Sequence, residues 1–356
     1  MEAALKYSIL GLAVLAPIAL GLMVGGLDRP KPTWWIALTW AACLLIIVLG
    51  LGLPTGASFG GADMVAVGKT RTTYTPVIVT VEAIDGTRAT VVDRNERTEQ
   101  LDLSQLTPDE RADLTIGEKA IIRMSKNPSG GFIARQVTWN DPPMALPLIP
   151  ALRERARNIY FHVPVAWIAE LAWVVAVIFS IRHLRRKDII DDVKASSAAG
   201  VGLLFCVLAT VTGSIWARFD WNSFWSWDPR QVSIVVVLVI YGAYFALRSA
   251  IASTEQRARI SSVYLILMVI PVTFFIFVFP RLMPGLHPGA DGSGTVGPII
   301  SPEEIWLNRT KQYLFALGFF AFTLIYFWMT NISVRTRLLE LRNRLSRAAG
   351  SVDGRT

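Results

Sequence analysis

Trp216-Ala217-Arg218-Phe219-Asp220-Trp221-Asn222-Ser223-Phe224-Trp225-Ser226-Trp227-Asp228-Pro229-Arg230 packs four tryptophans, two phenylalanines, two arginines and two aspartates into fifteen residues. The apolar segments Ala198–Ile215 and Val232–Ala250 flank it on either side. About 20 apolar residues are needed to cross some 30 Å of hydrocarbon as a helix. The stretch therefore reads as a short aromatic connection at a membrane surface, a flat apolar shelf edged with charge. Interfacial Trp and Tyr commonly anchor membrane helices, and Trp34, Trp35, Trp306 and Trp328 are spread along the chain as such a belt would be. Four tryptophans in one connection, beside Asp220, Asp228 and Arg230, exceed what anchoring requires.

The same segmentation extends to the whole chain of 356 residues, of which 53% are hydrophobic and 17% charged, against about 25% charged in soluble domains. Further apolar segments are Leu5–Val24, Trp34–Leu53, Ile159–Ile181, Ile260–Phe279 and Tyr313–Met329. The predicted fold class is an all-α polytopic membrane protein of about seven transmembrane helices with an inserted small external β domain. Four regions are expected: a transmembrane hairpin over 1–57, the β domain over 58–145, a helical core over 146–335 and a basic tail over 336–356. The net charge of +8 bears first on topology and anionic lipid rather than on nucleic acid. Arg182, Arg185, Arg186 and Lys187, then Arg248, Arg257 and Arg259, then Arg335, Arg337, Arg342 and Arg344 fall on one face if helices alternate. The positive-inside rule makes that face cytoplasmic and puts the Trp-rich connection outside. Arg153, Arg155 and Arg157 break the rule, for which an external anionic ligand or lipid would be a reason.

Between Val65 and Asp141 the composition turns polar and β-patterned. Val77–Ile84, Arg88–Asp93, Glu118–Met124 and Phe132–Thr138 are rich in Val, Ile and Thr, and Asp85-Gly86 is a hairpin signal. Thr107-Pro108-Asp109-Glu110 has the pattern of a capped short helix. A small OB-like barrel results, entered through the small-residue linker Pro54–Gly61. It contains neither His nor Cys. The two cysteines, Cys43 and Cys206, lie in apolar runs without a Cys-x-x-Cys pair, so a disulfide, a thiolate metal site and covalent haem attachment all lack support.

Three histidines remain, each with an ordinary explanation taken singly. His162 sits near Pro164, which frees a carbonyl for it. His287 reads as a solvated loop residue, and His183 as a snorkelling member of the basic set. His162 and His287 nevertheless share the external face with the aromatic stretch. Neutral imidazole is a common iron ligand, and two on opposite faces of a flat macrocycle would give six-coordinate haem. Trp216, Trp221, Trp225 and Trp227 would pack on the porphyrin. Arg218, Arg230 or Arg281 would pair with propionates. Zinc fits less well for want of a third ligand. A secondary transporter would call for charged or broken helix interiors, and Glu170 is the clearest ionisable residue there.

Thr210–Trp216 followed by Trp221–Arg230 resembles the tryptophan-rich WWD signature of haem-handling proteins in cytochrome c biogenesis. Ile159–Trp167 and Leu286–Gly289 look like the two histidine motifs of the C component, CcmC. The likeness covers about Asn158–Ser333. It departs from the pattern at Asn222 and Phe224, where Gly and Trp are usual, and at Pro288, where Gln is. The extra first helix and the β domain are not part of the usual six-helix protein. The resemblance implies that His162 and His287 are the axial ligands of a non-covalent haem b, with the Trp stretch, Asp228 included, as its platform. It also implies a carrier rather than an enzyme, in the bacterial inner membrane, working with a periplasmic haem chaperone of the CcmE type and ABC-type maturation components. The related CcsA-type haem lyases share the signature but usually carry a further histidine pair within the membrane.

Overall fold

The computed structural model describes residues 2–67, 74–128, 130–147, 157–287 and 309–353. It separates into two compact units, one helical (1–46, 158–302 and 312–356) and one centred on a β-barrel (47–157 with 303–311).

The helices are α1 (Glu2–Met23) and α2 (Thr33–Gly52), whose last residues count with the barrel unit, then α5 (Ile159–Arg186), α6 (Ile189–Asp220), α7 (Pro229–Ala250) and α8 (Thr254–Thr273). A π-helical turn, Phe274–Val278, carries α8 into α9 (Phe279–Leu282), and α10 (Arg309–Asp353) follows. Among the described residues six helices are long and apolar enough to cross a membrane, and Ser8–Met23 within α1 is a shorter apolar helix. The protein is thus a multi-pass membrane protein, and all seven expected segments are helical. Several helices outrun their apolar cores. α6 begins at Ile189 because its polar first turns are satisfied inside the bundle. Asp192 makes a bidentate pair with Arg248 at 2.6 and 2.9 Å, and Arg337 donates to Ser196 Oγ at 2.8 Å.

α5 and α6 pack through small residues. Among these, Ala195, Ser196, Ser197, Ala198, Ala199, Gly202 and Ala209 are all buried, as close helix approach in a membrane favours. A Cβ on Gly202 would lie 2.6 Å from Ala172 Cβ and closer still to the Tyr241 hydroxyl. That hydroxyl donates to the Ala169 carbonyl at 2.7 Å, and the Tyr241 ring meets Trp173 edge-on at 4.7 Å. His183 does not snorkel. It is buried, with Nδ1 2.8 Å from the Asp188 carbonyl, where it closes the α5–α6 turn. Lys187 adopts the left-handed conformation in that turn, and Asp188 caps α6. Trp35 is likewise no belt residue. It is fully buried, with the Lys31 ammonium 4.5 Å from its ring while that ammonium caps the carbonyls of Gly21 and Val24 at the end of α1. Trp306 lies outside the described residues.

The barrel unit opens with β1 (Thr55–Gly56) and α3 (Phe59–Val67). Helix α3 occupies part of what reads in sequence as linker and continuing β domain. Its Phe59 ring packs 5.1 Å from Phe132, and its first amide is held by Asp93, 2.8 Å away. Strands β2 (Thr75–Asp85), β3 (Arg88–Asp93), β4 (Thr98–Asp102), β5 (Lys119–Lys126) and β6 (Phe132–Asn140) close in the order β2-β3-β4-β6-β5. All pairings are antiparallel except β4 with β6. With α4 (Pro108–Ala112) between β4 and β5, this is the strand order of a five-stranded OB barrel. Its core is the inward alternation of Val77, Val79, Val81, Val91, Leu101 and Ile122. Thr107 and Glu110 form the reciprocal capping box their spacing predicts, and Gly86 turns the β2–β3 hairpin at φ 57°. β7 (Leu146–Pro147) pairs in parallel with β1 where the chain leaves the barrel. Of the three rule-breaking arginines, Arg157 donates to the Gly50 and Leu51 carbonyls at the end of α2. Arg153 and Arg155 lie outside the described residues.

Gly202→Val should overpack the α5–α6–α7 contact and destabilise the bundle by about 1–3 kcal/mol, lowering the Tm in detergent. Gly242→Ala, whose Cβ meets nothing within 4 Å, should not lower it.

Candidate functional site

The aromatic stretch divides structurally. α6 runs on through Asp220, so Trp216 is a buried helical residue and the loop proper is 221–228. Asn222 adopts φ 60°, a left-handed conformation that glycine takes freely and Asn tolerates better than most side chains. Arg218 stabilises the turn by donating to the Asn222 carbonyl at 2.9 Å and to its side chain. The Arg218 guanidinium also lies over Phe224. Gln231 Oε1 accepts from the Ser226 amide at 2.8 Å. The tryptophans do not form one flat shelf. Trp216 and Trp221 are inclined at 38°, while Trp225 and Trp227 meet at 89°. Trp227, at φ 57°, is 72% exposed.

His162 lies one turn into α5. Its Nδ1 is 2.9 Å from Thr212 Oγ1 on α6, not on a carbonyl freed by Pro164. The Thr212 hydroxyl itself donates to the Leu208 carbonyl at 2.8 Å, so its lone pair accepts from imidazole Nδ1–H. These bonds assign the tautomer with Nε2 unprotonated. The ring fits because residue 213 is glycine: a Cβ there would lie 2.9 Å from His162 Cε1.

His287 is held differently. Its Nδ1 is 2.7 Å from Asp228 Oδ1. The same carboxylate accepts the Leu286 amide at 2.6 Å and, as the α7 N-cap, the Arg230 amide at 2.9 Å. Burial works against ionisation of Asp228, but the His287 hydrogen bond and charge and the two amides hold it at about 2. Burial also lowers the affinity of His287 for a second proton, and this outweighs the pull of Asp228. Across neutral pH the pair is therefore neutral imidazole and carboxylate. Nδ1–H points to Asp228 and Nε2 carries the free lone pair. A carboxylate behind a histidine in this way fixes the orientation and raises the basicity of a metal-binding imidazole.

Both histidines line a cavity of about 460 Å³, within the range of cofactor-sized sites. The Trp216 ring lies 6.2 Å from His162 and 6.1 Å from His287, while Trp221 meets His287 at 4.8 Å. Trp221, Trp225, Arg230 and Arg281 complete that end, with the last two near enough to oppose each other's charge. Seven of the ten expected residues thus line one cavity. Asp228 stands behind His287, Arg218 belongs to the loop turn, and Trp227 projects away. Among the described residues no cluster of three or more metal-ligating side chains occurs; the imidazoles that line the cavity are those of His162 and His287. Sequence reading did not anticipate Thr212, Gly213 or Trp167, nor that Glu170 lines the same cavity.

The family model described as CcmC, Heme exporter protein C, matches residues 151–349. Among curated proteins, Heme exporter protein C of Paracoccus denitrificans is 29% identical over 188 residues, covering 53% of this chain and 74% of that one. Its namesake in Rhodobacter capsulatus is 33% identical over 105 residues, covering 30% and 43%. Cytochrome c biogenesis protein CcsA of Synechocystis is 27% identical over 135 residues, covering 38% and 39%. The last two matches span less than half of each relative's length.

Asp228→Ala removes a helix cap and the anchor of the 286–287 backbone together. It should destabilise the protein by about 1–3 kcal/mol and accelerate hydrogen exchange at the Leu286 amide, read by mass spectrometry.

Proposed function

The chain belongs to the CcmC, Heme exporter protein C, family, and from that premise we propose that it carries haem, held as cargo between His162 and His287, and hands it on during cytochrome c maturation. The observation that carries this reading is the matched state of the two imidazoles. Each has Nδ1 committed to a protein acceptor, Thr212 or Asp228, and each borders the same cavity with Nε2 available. Two neutral nitrogen donors without a third ligand suit a metal that brings its own equatorial donors, as porphyrin iron does.

The rest of the cavity supports the same cargo. Trp216, Trp221 and Trp225 offer apolar surface to a macrocycle. Arg230 and Arg281, two cations near each other, suit the two propionates. His162 is fixed within a helix, whereas His287 sits on irregular chain held by one carboxylate. Such an arrangement retains a ligand and still opens by a local movement. By the positive-inside argument the site faces the periplasm of a bacterial inner membrane, where a CcmE-type haem chaperone would receive the haem from this protein and ABC-type components. Trp227, exposed beside the cavity's Trp225, is available to such a partner. The organisation proposed is a transmembrane hairpin over 1–57, the β domain over 58–145, the haem-handling core over 146–335 and a basic tail over 336–356. The likeness to CcsA raises haem attachment as a second activity. A carrier is favoured because, among the described residues, the histidines in the spanning helices stand only at the ends of α5.

Purified protein should show the Soret and α/β bands of low-spin bis-imidazole haem. His162→Ala and His287→Ala should each deplete co-purifying haem, and the double substitution should abolish it. Full haem spectra in the double variant would overturn the ligand assignment. Asp228→Asn should weaken hemin binding by about 10–100-fold while retaining both ligands.

A further inference from the structure

Glu170 has no part in the site as described so far. It lies eight residues after His162 on α5, about 12 Å further along the helix, and lines the same cavity. It is 6% exposed. One carboxyl oxygen accepts a long hydrogen bond, 3.4 Å, from Thr273 Oγ1. The other is buried with no hydrogen-bond partner among the described residues. Thr273 ends α8 immediately before the π-helical turn, a departure from α geometry that recurs at functional sites.

α8 faces Glu170 with Thr273 and α7 with Tyr241, whose hydroxyl is committed to the Ala169 carbonyl. From α5 itself comes Trp167, whose buried indole N–H has no partner among the described residues and which meets Phe319 of α10 edge-on. From α6, Ala209, Thr210 and Gly213 line the cavity beside it, none of them titratable. Among the described residues no cation acts on Glu170. The arginines of the cavity, Arg230 and Arg281, belong with the histidines. An uncompensated carboxylate at this depth is costly, and an ionisable residue within a membrane span is kept where it has a use. Packing gives no reason for a carboxyl in preference to an amide here.

We propose that Glu170 sets the oxidation-state preference of the cavity, favouring ferric over ferrous haem. The inference rests on the reading of the cavity as a haem site. With two neutral imidazole ligands, the dianionic porphyrin ring leaves a net charge of +1 at a ferric centre and zero at a ferrous one. The propionates fall to Arg230 and Arg281, which leaves the ferric core charge to be met by Glu170. An ionised carboxylate is costly in the cavity until a cationic centre enters it. When ferric haem enters, the carboxylate becomes the favoured form and the proton leaves to solvent through the cavity. Ferrous haem offers no such compensation. Glu170 acts through the field and touches no iron ligand; it is a positioning residue for charge, and a specificity determinant.

The test is hemin titration of the full-length protein, followed by the Soret band, in the ferric state and again under dithionite. Glu170→Gln should weaken ferric binding by about tenfold, leave ferrous binding within about twofold, and raise the midpoint potential of the bound haem. The unmodified protein supplies a check that does not depend on the folding of a variant. Its ferric-to-ferrous affinity ratio should fall as acidification protonates Glu170, and the Gln variant should lose that dependence. A bis-imidazole spectrum combined with an unchanged ratio in the variant, or a pH-independent ratio in the unmodified protein, overturns the role of Glu170 alone. Retention of full haem spectra after His162→Ala with His287→Ala would instead remove the haem site on which the role depends.

Discussion

One carboxylate connects the parts of the site. Asp228 ends the Trp-rich loop, caps α7, fixes the Leu286 amide and orients the His287 ring. Because its two oxygens are shared among three donors, the start of α7 and the chain beyond α9 cannot move independently. Burial of a carboxylate is normally costly, and here three hydrogen bonds offset the cost and keep the group ionised. The geometry of His287 is thereby a consequence of how a helix begins. The Asp228-Pro229 pair serves helix initiation and imidazole orientation with the same atoms.

The second histidine depends on a different constraint, the closeness of α5 and α6. Gly213 admits the His162 ring, and Thr212, one residue earlier, supplies its acceptor. This is the functional end of a small-residue interface that starts at Ala195 and includes Gly202. Close packing over most of the helix pair fixes the separation at its end. A substitution near Gly202 would therefore be felt at His162 through the helix axis, without touching the cavity.

Much of this was legible in the sequence, for identifiable reasons. The barrel could be read because Val, Ile and Thr alternate with period two and because Asp85-Gly86 and Thr107–Glu110 have local geometries that need no tertiary context. The two cavity histidines stood out by scarcity and by their place at segment ends. What could not be read depends on contacts distant in sequence. Asp228 and His287 are 59 positions apart, and Thr212 looks like an ordinary helical threonine until α5 lies beside it. The length of α6 was hidden because Asp191, Asp192 and Lys194 look like loop residues, yet both aspartates are buried and Asp192 is paired with Arg248. α3 was hidden by Gly60-Gly61, which read as linker until Phe59 inserted into the barrel core.

The two ways of holding imidazole differ in mechanical terms, and that difference matters for a carrier. His162 is set by a helix whose backbone is bonded along its length and whose neighbours are buried; displacing it means disturbing the bundle. His287 is set by one carboxylate on a stretch between α9 and α10 with exposed neighbours, Met283 and Leu286 among them. Local openings are cheapest where few buried contacts must break. A ligand bound by both would be anchored on the α5 side and releasable on the other. Orienting the second imidazole through Asp228, and not through helix packing, confers directional strength while closed and leaves the opening cost to a few hydrogen bonds. Tight holding and timely release then come from different elements, so neither has to be compromised for the other.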